Sequence, residues 1–91
     1  MSNARGDLTR WVQRQLRVRM IRADVNAAQI CRKLRRPVNW LTRKIYPGAS
    51  DPRALALEDL EQVCEAMGLS WRELLTQPIP DDEALAEDPY A

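Results

Sequence analysis

Between Pro37 and Tyr46 the chain reads PVNWLTRKIY, and four of its side chains bring distinct chemistry onto one short stretch. Asn39 carries an amide, which can pair an adenine edge through two hydrogen bonds, and Arg43 a guanidinium, which can grip N7 and O6 of guanine. Val38 and Thr42 add methyl groups that can meet thymine methyls. Such groups need a support. Leu41 and Ile45, four residues apart, give the stretch an inward edge. Pro37 lacks a backbone N–H and suits a first helical turn, so the spacing predicts a short helix over 37–46. Trp40 falls beside the inward edge, where it can pack on a core or offer its indole N–H to a phosphate.

The preceding element is a second short helix. Asn26 followed three residues later by Gln29 forms a capping box, and Ile30, Cys31 and Leu34 give one apolar face that ends near Arg35. The start of this helix presents unpaired backbone N–H groups and a positive dipole end, so Asn26 and Ala27 are candidate phosphate contacts. This order of parts resembles the helix-turn-helix of the Cro and phage-repressor (XRE-like) family. The likeness is closest to actinobacterial and phage members in RPVNWLTRKIYPG and continues to Leu75. Two positions depart from the family pattern: Arg35 stands where Gly is usual in the turn, and Pro37 where Ser or Thr is usual. A side chain at positive φ costs roughly 1 kcal/mol, so Arg35 predicts a turn of different shape. Ala27 replaces a glutamine common in the family, which leaves that phosphate contact to backbone alone.

The resemblance implies an all-α, compact, five-helix lambda-repressor-like domain that binds double-stranded DNA by sequence and represses transcription by occupying an operator. It also lays the loop after Tyr46 over the sugar-phosphate backbone, which gives Lys44, Ser50 and Arg53 positioning roles beside Arg36. A single reading helix covers few base pairs, so two copies about 34 Å apart on a palindromic operator are expected. The candidate homodimer surface, used in solution or only on DNA, is Leu69, Trp71, Leu74, Leu75 and Ile79. The alternative is that Trp71 and Leu75 close the core of the monomer.

The remaining elements frame this pair. Asp7 is a candidate N-cap, followed by Leu8, Trp11, Val12, Leu16, Met20 and Ala23 at helical spacing. Arg10, Arg14 and Arg17 gather opposite that stripe and Arg19 and Arg22 lie at its edges; contact with phosphates is the functional reading for this group, Arg19 and Arg22 above all, and ordinary solvated arginines are the alternative. Leu57, Leu60, Val63, Cys64 and Met67 predict a fourth helix closed by Gly68, and Ser70 to Glu73 opens a fifth with Leu74 and Leu75. Pro78 and Pro80 then interrupt the pattern. The expected plan is a disordered start over 1–6, a helix-turn-helix domain over 7–76 and a disordered acidic tail over 77–91.

Charge divides the chain more sharply than its net +1 suggests. Met1 to Arg53 carries thirteen basic residues against three acidic, a net +10, and Ala54 onward carries one against ten, a net −9. This split fits a polyanion-binding half joined to a half that faces away, or else two halves that attract each other. The absence of His excludes histidine triads and Cys2His2 metal sites, and two cysteines alone cannot close a zinc site. Cys31 and Cys64 are expected to be reduced, small core residues. No Gly-rich phosphate loop and no nucleophile with a neighbouring base occurs, so the expectation is a non-enzymatic protein without cofactor or metal. No run nears the ~18 apolar residues of a membrane span, which predicts a soluble, cytoplasmic protein without a membrane partner. The rival reading is a protein-interaction module, antitoxin-like or host-factor-binding, that uses its acidic C-terminal half.

Overall fold

The computed structural model describes residues 4–46 and 55–90, with side chains from Leu8 onward. The elements are α1 (Ala4–Ala23), α2 (Ala27–Leu34), α3 (Trp40–Ile45), α4 (Leu57–Ala66), α5 (Trp71–Thr76) and α6 (Asp81–Glu87). Among the described residues the fold is all-helical, as expected, but six helices replace the five anticipated. The first begins at Ala4, so Asp7 lies inside it and not at its cap, and three residues of the expected disordered start are helical.

Three helices end the same way. After α1, α2 and α4 the chain turns through one residue at positive φ: Asp24 (56°), Arg35 (57°) and Gly68 (72°). In each case the next amide reaches back five residues, Val25 to Met20 (3.0 Å), Arg36 to Cys31 (2.8 Å) and Leu69 to Cys64 (2.9 Å), which satisfies carbonyls that the helix end leaves open. The turn after α2 therefore keeps the left-handed shape that Gly would give, with Arg35 at ψ 45°, and the different shape expected from Arg35 does not form. Its steric cost is offset by the two backbone bonds that the turn closes.

Val12, Leu16 and Met20 recur every four residues along α1 and pack against Ile30 and Cys31 of α2, Leu41 and Ile45 of α3, Leu60, Val63 and Cys64 of α4, and Leu74 of α5. Apolar burial of these side chains, at about 25 cal/mol per Å2, is the main term holding the first five helices together. Leu8, expected on the inward stripe, is exposed instead. Val18 faces another way and forms a second cluster with Ile79 and Ala84. The tail is thus no appendage: the expected disorder beyond Thr76 is replaced by α6, docked on α1.

Polar pairing explains why α6 docks. The amide of Gln15, 1% exposed, donates to the Ile79 carbonyl (2.9 Å) and accepts from the Ile79 N–H (3.0 Å). Trp11 donates its indole N–H to Asp81 (3.1 Å), and Arg22 is hydrogen-bonded to both Glu83 and Glu87. Arg17 is buried and donates from Nε and Nη2 to the two oxygens of Asp88 (3.1 and 2.6 Å). Leaving either member of such a buried pair alone costs about 3–5 kcal/mol, a large share of the about 5–15 kcal/mol that holds a domain folded.

Two outcomes test this account. Arg35→Gly should raise stability by up to about 1 kcal/mol, since relief of the left-handed strain exceeds the entropy Gly adds to the unfolded chain; a lower midpoint in urea would contradict the geometry. Burial alone would raise the Asp88 carboxyl, but hydrogen bonds from Arg17, the Tyr90 amide and Arg14 outweigh it and hold the group below its ordinary value. A depressed carboxylate stabilises above its unfolded value of about 3.9 and loses that contribution as pH falls through the folded value. Asp88→Asn should therefore be less stable than wild type at pH 7, with the gap closing below about pH 4. The exposed Glu87, held down by its bond from Arg22, keeps part of the acid limb in both proteins. A gap that stays constant into acid would refute the Asp88 assignment.

Candidate nucleic-acid interface

The candidate reading surface is smaller than a helix over 37–46 would make it. Pro37 accepts the Trp40 amide (2.9 Å) in a turn, so Val38 and Asn39 precede α3 and only Thr42 and Arg43 lie on it. Thr42 and Arg43 follow Val38 and Asn39 at intervals of four residues, and the Arg43 amide donates to the Asn39 carbonyl (3.2 Å). All four are exposed, Val38 at 72%. Asn39 stands at the N-cap of α3 but its side chain makes no capping bond, so the amide is not consumed by the helix it begins. Arg43 has no partner among the described residues. Behind them Leu41 and Ile45 are fully buried and fix the roll of the helix.

A six-residue helix cannot hold itself, so its ends are tied to neighbours. The Cys31 thiol meets the Val38 carbonyl (3.5 Å) at the entry. At the exit, Gln13 donates to the Lys44 carbonyl (2.8 Å) and Arg17 donates to the Ile45 carbonyl. Both donors come from α1. Carbonyls that the last turn leaves open are thus satisfied, and the Arg17 charge opposes the negative dipole end.

The expected phosphate contacts divide. Asn26 and Gln29 form both halves of the capping box at the start of α2 (2.8 Å each), so the Asn26 side chain is engaged and Ala27 is buried beside it, leaving backbone amides as the donors there. Trp40 is partly buried, with Arg36 and Lys44 set 4.9 and 5.1 Å from its ring centroid. Packing is its role, and it gathers two cations beside the reading surface. Arg36 also donates to Gln62 (3.3 Å) and Lys44 to Asp59 (2.9 Å). Ser50 and Arg53 lie outside the described residues.

Arg19 and Arg22, expected at a phosphate surface, are turned to the acidic half instead. Arg19 reaches the Gln77 carbonyl (2.7 Å) and Glu73 (3.7 Å), and Arg22 is paired with Glu83 and Glu87. Arg17 and Arg14, expected to contact phosphates or to be solvated, both meet Asp88 instead. The cause is α6, which lies along the side of α1 that carries them. A groove of about 410 Å3 between the end of α1 and residues 77–80 includes Arg19 and Arg22, but both already have carboxylate partners. Sequence reasoning missed Arg32 and Arg35, which are exposed beside the turn without a partner among the described residues. Their signal was the basic run RKLRR at 32–36.

The expected dimer surface contracts. Leu74 and Ile79 are buried within the monomer and Leu69 packs against its core, which leaves Trp71 and Leu75 at 38% and 39% exposure. Cys31 and Cys64 are free and buried, and burial pushes the Cys64 thiol up to about 11, so it is no nucleophile. Among the described residues no group of His, Cys, Asp or Glu could hold a metal ion, and no helix is long and apolar enough to cross a membrane. No family model, curated protein or solved structure matches this chain.

Proposed function

We propose that the chain is a sequence-specific, double-stranded DNA-binding regulator, a phage-type repressor in its mode of action, that works by occupying an operator. The observation that carries this reading is the uncommitted Asn39 amide at the N-cap, and the uncommitted Arg43 guanidinium four residues later, of a short helix whose other face is buried. In a major groove these two would set base preference, while Arg32, Arg35, Arg36 and the backbone amides at the start of α2 would neutralise or bind phosphates. Two copies on a palindrome would double the length of sequence read, with Trp71 and Leu75 as the apolar part of a small contact. The alternative, an acidic protein-binding module, draws less support, because Asp59, Glu73, Asp81, Glu83, Glu87 and Asp88 all have partners inside the chain.

Selection of bound sequences from random DNA, followed by titration at several salt concentrations, tests the reading directly. Arg43→Ala should cost roughly 1–3 kcal/mol on the selected site and flatten preference at one base position. Arg32→Ala should weaken selected and random DNA alike and lower the salt slope by about one. Equal losses on both kinds of DNA for Arg43→Ala would remove it from base recognition, and binding that ignores salt would remove DNA as the ligand.

A further inference from the structure

The exit of α3 is held from a distant part of the chain. Arg17 divides its donors: Nε and Nη2 go to the two oxygens of Asp88, and Nη1 is left for the Ile45 carbonyl. The Asp88 side chain is fully buried, and it also accepts from Arg14 Nε (3.3 Å) and from the Tyr90 amide (3.0 Å). The Tyr90 ring packs edge-on against Tyr46, the residue that follows α3, with centroids 4.9 Å apart. Arg17 lies 5.7 Å from the Tyr90 centroid. Two independent contacts thus converge on residues 45–46, a capped carbonyl and a ring. The segment that delivers them is itself fixed on α1 by the paired bonds of Gln15 with Ile79 and by the cluster of Val18, Ile79 and Ala84.

We infer that Asp88 is a positioning residue for the base-reading helix: it holds Arg17 in the orientation that caps Ile45, so residues 79–90 set the seat of α3. This rests on the DNA-binding reading only for its functional meaning. Without the carboxylate, a buried guanidinium keeps one carbonyl as partner, and the fork that aimed it is gone. The charge turns to water, Ile45 is uncapped, and a six-residue helix loses its exit tie.

Residue-by-residue amide hydrogen exchange on the free, full-length chain decides the matter. Asp88→Asn should speed exchange at residues 43–46 about tenfold or more relative to amides in α2 and α4. Val63→Ala, a core change remote from this cluster, should speed all three helices alike. Asp88→Glu should recover part of the protection. Loosening of α3 by no more than α2 and α4 in Asp88→Asn would reduce Asp88 to a general stabiliser and overturn the inference. Should Asp88→Asn fail to fold, Tyr90→Ala, which keeps the carboxylate and removes the ring from Tyr46, is read by the same ratio; unchanged protection at 43–46 would count against the seat. On DNA, Asp88→Asn should lower the ratio of selected to random binding, which Arg32→Ala leaves in place. Failure of the wild type to bind DNA would sink the functional reading while the exchange result stood on its own.

Discussion

The structure depends on one desolvated charge. Arg17 sits in the middle of the longest helix with its guanidinium almost wholly removed from water, a state tolerable only when each side of the group meets an acceptor. It meets a carboxylate from one end of the chain and a helix carbonyl from the middle, so one side chain joins α1, α3 and the segment after α6. An apolar residue there could fill the same volume. It could not tie the same three pieces, since packing has no direction and a bidentate fork does.

This also resolves the division of charge. The basic half is spent in two ways: Arg14, Arg17 and Arg22 of α1 are directed to acidic residues at 83–88, while Arg32, Arg35 and Arg43 stay exposed without a partner among the described residues. Attraction between the halves therefore engages some of the basic residues and leaves others exposed. Net charge by half of the sequence could not separate them, because Arg14 and Arg43 count alike until the fold assigns each a neighbour.

Much of the frame was legible from local chemistry. The capping box at Asn26, the closing Gly68, the Ser70 cap and the inward pairs Ile30–Cys31 and Leu41–Ile45 all announce themselves within a few residues, and each lies where that chemistry requires. What escaped was non-local. α6 has no apolar stripe of its own beyond Ala84, since much of what docks it is ionic and its partners lie more than sixty residues away, as with Trp11 and Asp81. Val18 and Gln15 lie off the stripe read along α1, whereas that helix is covered on two sides. At the candidate reading surface, residue types and spacing were legible, but the start of α3 was not, because Pro37 suits both a helical first turn and a plain turn.

The pairing of the first helix with the last has a consequence for synthesis. A chain emerging from the ribosome exposes Arg14, Arg17 and Arg22 long before Asp88 or Glu87 exists to meet them. Through that interval α1 carries its arginines without their carboxylates, beside a polyanionic template and ribosomal RNA. Helices two to five can gather their apolar faces as they appear, but the buried fork closes only when Asp88 becomes available. Completion of this fold thereby waits for the segment that carries Asp88, and the interval during which the α1 arginines lack their carboxylates is set by the distance between Arg17 and Asp88 in sequence.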